Sequence, residues 1–370
     1  MSDTHSHQIH ANRRGALRDQ LAERELDAIL TTDLCNIRYL TGFTGSNAAL
    51  LLHAADDKRT LFCTDGRYST QAAVEVPDLE RIIERASVGA LIKRAAAAPA
   101  DYRRTGFESQ HVSVDAHHAM AEQADGIELR RAPGLVEMLR MVKDAGEIEA
   151  LRMACAAADR ALTDLIEHGG VRAGRTERQV ARELESRMLD HGSGGPAFAS
   201  IVAAGAHSAI PHHRPTDAVL APGDFVKLDF GAVVDGYHSD MTRMLVVGRP
   251  ADWQRDLYNL VHTAQATGRA AAKPGVQVSE VDAAARGVIE RAGYGAEFNH
   301  GLGHGVGLQI HEAPGLAKTG TGTLFAGMAV TVEPGVYLTG RGGVRIEDIV
   351  VVREGGSEVL TLSTKDLVTV

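Results

Sequence analysis

Between residues 147 and 167 the apolar positions fall at Ile148, Leu151, Ala154, Cys155, Ala158, Leu162 and Ile166, a three-and-four spacing that lines one face of a helix. The same spacing predicts helices over 176–191, 252–272 and 279–292. Apolar and alternating runs predict strands at 199–205, 224–234, 237–247, 328–333 and 344–353. Long hairpins combined with helix pairs make this portion an antiparallel-rich α+β domain. The first third follows another rhythm. DAILTT, AALLLH, TLFCT and TGFES read as strands, and they alternate with helical patterns over 14–24, 87–98 and 113–124, as in an α/β layer. A longer helical pattern starts at Pro133, with Asp144-Ala-Gly-Glu147 as a break and restart. The expected organisation is an N-terminal domain over 1–135, a linker over 136–146 and a second domain over 147–370.

A length of 370 residues agrees with two domains, and 44% hydrophobic with 24% charged residues is ordinary for a globular chain. The formal net charge of -9, without a basic run, argues against a nucleic-acid partner. Cys35, Cys63 and Cys155 have no paired spacing, so reduced thiols and a cytoplasmic setting are expected. The opening MSDTHSHQIHANRRG has no apolar core of the signal-peptide kind. It reads as a polar, disordered tail with Arg13-Arg14 solvated, in preference to His5, His7 and His10 holding a stray metal ion. No run of eighteen apolar residues predicts a membrane span.

Several acids stand in places that need a reason. In DFVKLDFGAVVDGYHSDMTRMLVV, Asp235-Gly236 between apolar runs predicts a type I′ hairpin. Counting outward, Val234 faces Tyr237, Ala232 faces Ser239 and Gly231 faces Asp240. Asp229 is then the diagonal neighbour of Asp240 on one face, at roughly 7–8 Å, and Gly231 leaves room for a shared ligand. Two partly buried carboxylates repel unless a proton or cation lies between them, although strand acids can also simply face solvent. Glu333 ends the apolar run MAVTVE just before Pro334-Gly335. Arg345 and Glu347 share a face of the next strand, which would suit a surface ion pair equally well. HGLGHGVGLQIHE packs three histidines and four glycines into residues 300–312, either as a Gly-rich loop or as a strand with a bare face opposite its imidazoles. Four carboxylates with His304 carry a charge that two divalent cations would balance. Such oxygen-rich ligation favours a harder ion such as manganese over a thiolate-type zinc site.

These segments together resemble the pita-bread metallopeptidases, in the branch of Xaa-Pro aminopeptidases (aminopeptidase P) and Xaa-Pro dipeptidases (prolidases). NIRYLTGFTGSNAALLL and TDGRYSTQA look like that family's non-catalytic domain. IVAAGAHSAIPHHRPTD, the DFG…SDMTR hairpin, HGLGHGVGLQIHEAPG, VEPGVY and GGVRIED follow its signature segments in order. The resemblance implies a pita-bread catalytic domain preceded by a smaller α/β creatinase-type domain, and Asp229, Asp240, His304, Glu333 and Glu347 as ligands of two metal ions. Asp240 and Glu347 would bridge them, with Mn2+ expected first and Co2+ or Zn2+ as alternatives. It further implies His212 (preferred over His213 by its spacing of 17 from Asp229), His311 and Glu333 in catalysis, His300 in the substrate pocket, and Arg345 beside the bridging glutamate. The glycines of 301–307 would let backbone pass close to the metals and substrate.

The implied reaction is hydrolysis of the bond between an N-terminal residue and a following proline in short peptides, with the dipeptidase slightly favoured. Aminopeptidase P activity on tripeptides and longer is the alternative. More distant readings are a creatinase-like, metal-free amidinohydrolase and a non-catalytic binding protein on the same fold. The resemblance also implies a homodimer and no membrane partner.

Overall fold

The computed structural model describes residues 3–370, which divide into two units, one ending at Arg140 and one running from Met141 to Val370. In the first, α1 (Asp3–Glu23) leads to β1 (Ala28–Thr31), α2 (Leu34–Thr41), β2 (Ala48–His53), β3 (Leu61–Thr64), α3 (Ser69–Glu75) and β4 (Glu80–Ile83). Then come α4 (Ser87–Ala96), the single turn α5 (Pro99–Tyr102), β5 (Arg104–Phe107), α6 (Val114–Ala121), β6 (Glu128–Arg131) and α7 (Leu135–Arg140). One mixed sheet has the order β4-β3-β2-β1-β5-β6. Strands β1, β2 and β3 are buried at every position, which is why they read as continuous apolar runs. The edge strands β4 (ERII) and β6 (ELRR) are largely exposed and carry no such signal.

The polar opening is not a loose tail, because α1 already begins at Asp3. Met1, Ser2 and the His5 side chain lie outside the described residues. His10 Nδ1 meets the Tyr39 carbonyl at 3.0 Å, and the Arg13 guanidinium lies 4.2 Å over the Tyr39 ring. Arg14 is buried and paired with Asp57 at 3.0 Å and Asp78 at 2.5 Å. These partners are 26 or more residues distant, beyond the reach of any local pattern.

In the second unit, α8 (Ala145–Glu167) and α9 (Glu177–Asp190) precede β7 (Ile201–Ala204), β8 (Phe225–Phe230), β9 (Val233–Val234), β10 (Tyr237–His238) and β11 (Met241–Val246). After α10 (Asp252–Ala271) and α11 (Val278–Arg291) come β12 (Gly303–Gly305), β13 (Glu312–Leu316), β14 (Ala329–Val332) and β15 (Gly335–Leu338). The chain closes with β16 (Gly342–Arg345), β17 (Asp348–Arg353), β18 (Gly356–Val359) and β19 (Val368–Thr369). Residues 136–140 of the expected linker are helical, as part of α7. Asp144 and Glu147 form the capping box that starts α8. The apolar face of α8 and α9 packs on the sheet β19-β11-β8-β7, and α10 and α11 pack with the sheet β13-β12-β14-β17-β18.

The hairpin pairs as counted: Tyr237 with Val234, His238 with Val233, Met241 with Phe230 and Thr242 with Asp229. Asp235 and Gly236 both take positive φ, 48° and 74°, as a type I′ turn requires. The ladder nevertheless breaks between β8 and β9. Ala232 N donates to Ser239 Oγ at 2.8 Å, and a β-carbon at Gly231 would lie 1.8 Å from the Ser239 carbonyl oxygen. Gly231 therefore makes room for its neighbouring strand rather than for a ligand. A second break parts Arg345 from Asp348. Strand β16 pairs with β15 while β17 pairs with β14, so the expected single strand over 344–353 changes partners at Ile346-Glu347.

Candidate active site

Both breaks lie beside the same cavity. Its volume is about 740 Å³, and it is lined by Asp229, Asp240, His304, Glu333, Glu347, His212, His311, His300 and Arg345, together with apolar residues such as Phe198, Ile201 and Ile310. Asp229 is carried by β8, Asp240 by the turn into β11, His304 by β12, and Glu333 and Glu347 by the residues flanking β14 and β17. Acids at strand ends escape the ladder and can turn side chains into one space.

His304 Nε2 stands 3.6 Å from Asp240 Oδ2 and 3.4 Å from Glu333 Oε1. Ligand atoms of Asp240, His304 and Glu347 all lie within 4.8 Å of one another. His304 Nδ1 faces the Gly305 carbonyl at 3.0 Å, so that nitrogen carries the proton and Nε2 offers its lone pair to the cavity. Thr331 Oγ1 accepts from His304 N at 3.0 Å and donates to Glu333 Oε1 at 3.2 Å, while Thr242 Oγ1 donates to Glu347 Oε2 at 2.7 Å.

Arg345 and Glu347 do not form a surface pair, since both are about 2% exposed. The guanidinium instead binds Asp229, lies 3.9 Å from Glu333 Oε2 and donates to Thr242 Oγ1 and Tyr337 Oη at 3.1 and 2.9 Å. Tyr337 Oη in turn meets His300 Nε2 at 2.8 Å, a chain from His300 to Arg345. His311 stacks edge-on against His304, with ring centroids 4.5 Å apart. Both His212 and His213 line the cavity, but they differ. His212 is exposed, whereas His213 is buried with its Nε2 2.8 Å from Glu177.

The charge is out of balance. Four carboxylates face one guanidinium, which leaves three negative charges if all are ionised. Burial, followed by the neighbouring acids, pushes the carboxyls of Asp240 and Glu347 well above the usual carboxylate range. Burial raises Glu333 to about 7 against the opposing pull of Arg345. Burial also drives His304 and His300 down to about 4, so both rings are neutral near pH 7. An oxygen-rich set with one neutral imidazole, short of positive charge, fits hard divalent cations.

Adjacent chain already demands the smallness of two of the glycines of 301–307: a β-carbon at Gly303 would stand 2.0 Å from the Thr331 carbonyl oxygen and one at Gly305 2.2 Å from that of Ala313, while Gly301 and Gly303 line the cavity itself. Pattern reading passed over Thr242, Thr331 and Tyr337. Only their burial among the acids marks them, since a threonine in a strand carries no signal of its own.

Known proteins share this fold. Residues 149–354 match the model of metallopeptidase family M24, and 13–142 match that of the creatinase/prolidase N-terminal domain. An uncharacterized peptidase of Bacillus subtilis strain 168, YqhT, is 40% identical over 95% of this chain and 98% of its own. Among solved structures, a Xaa-Pro dipeptidase from Bacillus anthracis superposes with a TM-score of 0.93 at 39% identity, covering 98% of this chain and 100% of that one. An X-Pro aminopeptidase from Thermotoga maritima MSB8 gives 0.86 at 34%, covering 94% and 99%. A cavity of buried acids around His304, on a fold shared along its whole length with these peptidases, makes this chain a member of metallopeptidase family M24 that carries a creatinase/prolidase N-terminal domain.

Proposed function

We propose that this enzyme hydrolyses the bond between an N-terminal residue and a following proline in short peptides, with Xaa-Pro dipeptides as its first substrates. The observation that carries the reading is the convergence of Asp229, Asp240, His304, Glu333 and Glu347 on one cavity with apolar walls. These five would hold two divalent ions, Mn2+ first. When bound, the ions would supply Lewis acidity, making a water acidic near neutral pH and polarising the scissile carbonyl.

The chain's own residues do the rest. Glu333, at the cavity wall beside His304, is placed to take a proton at its carboxylate and return it to the proline nitrogen. That nitrogen needs the proton to leave, and proline brings no N–H of its own. His212 and His311 stand at the cavity wall as hydrogen-bond donors to the carbonyl oxygen as charge develops there. Phe198, Ile201, Pro211 and Ile310 offer apolar surface to the proline ring, and His300, held by Tyr337, shapes the same wall.

The likeness to an X-Pro aminopeptidase favours a second reading, removal of the first residue from longer peptides. Comparing an Ala-Pro dipeptide with an Ala-Pro-Ala tripeptide, in the presence of manganese, separates the two. The dipeptidase reading expects Ala-Pro to be cleaved with the higher kcat/KM. Preference for the tripeptide would replace it with the aminopeptidase. A homodimer belongs to the same reading, as does a cytoplasmic setting, supported by three free cysteines. No helix among the described residues is long and apolar enough to cross a membrane.

A further inference from the structure

Glu177, at the start of α9, is fully buried, yet none of the five proposed ligands touches it. Its two oxygens collect donors from both ends of one loop. Oε1 accepts from Ala204 N at 2.8 Å and faces His207 Nδ1 at 2.8 Å. Oε2 faces His213 Nε2 at 2.8 Å and accepts from Thr216 N and Oγ1 at 2.9 and 2.7 Å. An ionised carboxylate can only accept, so both imidazoles donate to it. Burial works against its charge, but the donors from Ala204, His213 and Thr216 outweigh this and bring Glu177 down to about 2.

The carbonyls of the same loop turn the other way. Buried Lys227 donates Nζ to the carbonyl oxygens of Ser208, Ile210 and Pro211 at 3.2, 2.6 and 3.2 Å, and Arg345 adds a bond to that of Pro211 at 3.3 Å. Residue 212 thus sits between a carbonyl held by the buried side chains of Lys227 and Arg345 and an imidazole held by a buried anion. No hydrogen bond among the described residues holds the His212 ring itself, so its place over the cavity is set through its backbone.

We propose that Glu177 is a positioning residue for His212, fixing the 204–216 loop so that this imidazole meets the substrate carbonyl. The proposal rests on the catalytic reading of His212. Five donors already surround the carboxylate, which leaves it little capacity to ligate a third metal ion, although Glu177, His207 and His213 are close enough to suggest one.

Steady-state hydrolysis of Ala-Pro by the manganese-loaded protein tests it with Glu177→Gln, His212→Ala and the double variant. Glu177→Gln is expected to lower kcat by about 10- to 100-fold, as a misplaced catalytic group does, with KM and bound manganese held. In the His212→Ala background the same change is expected to cost nothing further, because the group it positions is gone. Unchanged kcat, an equal loss in both backgrounds, a change confined to KM, or a fall in bound manganese would each overturn the proposal. Wild-type kcat in His212→Ala alone removes the catalytic role of His212 and the proposal with it, whereas additive losses remove only the proposal. If Glu177→Gln does not fold, Thr216→Val decides by the same criteria, with a smaller loss that again vanishes beside His212→Ala.

Discussion

Glu333→Ala is expected to abolish Ala-Pro hydrolysis, by at least about 10³-fold in kcat, in a protein that keeps its fold. Glu333 lies just past the end of β14, 17% exposed, with His304 Nε2 at 3.4 Å and Arg345 Nε at 3.9 Å. Removing it takes away a proposed metal ligand and the carboxyl placed to carry the proton, hence both the cation's seat and the proton carrier. The fold has little to lose, because the side chain accepts one side-chain hydrogen bond, from Thr331, and sits among acids that repel it. His304→Ala should be equally inactive for the first reason alone. Circular dichroism checks the fold and elemental analysis the metal. Wild-type turnover in both variants would end the assignment of these residues to a metal centre.

The second large effect is on stability. Without cations, the carboxyls of Asp240, Glu333 and Glu347 hold protons above the ordinary carboxylate range. A carboxyl whose folded pKa is raised stabilises the fold below its unfolded value and loses that contribution as pH rises through the folded one. For Glu333 the window runs from 4.5 to about 7, and the neighbouring acids share in the same loss. Metal-free protein should therefore melt lower at pH 8 than at pH 5.5. Manganese should raise Tm strongly at pH 8, where it takes the place of the missing protons, and weakly at pH 5.5. Thermal melts of chelator-treated and reloaded protein at the two pH values measure this. An increment that is equal at both, or larger at pH 5.5, would contradict the role given to these acids.

How far such a site can be read without coordinates depends on where each residue gets its signal. The hairpin register followed from Asp235-Gly236 because a two-residue turn and a side-chain period of two leave a single pairing, and that pairing placed Asp229 and Asp240 together. Buried helices such as α8 and α10 kept their periodicity and appeared within a few residues of their observed ends. Arg345 and Glu347 do line one cavity, as their shared face implied, but the change of strand partners between them and their burial leave no trace in an apolar run. The strand contacts that Gly303 and Gly305 make with Thr331 and Ala313 join distant parts of the chain and carry no local signal. The long-range anchors of α1, namely Tyr39, Asp57 and Asp78, were out of reach for the same reason. So was Glu177, an acid at a helix start that local chemistry explains completely as a first-turn residue.

The most direct measurement is the manganese content of the purified, reloaded protein taken together with its turnover of Ala-Pro and of Ala-Ala. Two ions per chain, with Ala-Pro cleaved and Ala-Ala left intact, is the predicted result. Two bound ions with no cleavage of Ala-Pro would contradict the proposed reaction, and full cleavage in protein stripped of metal would contradict the centre itself.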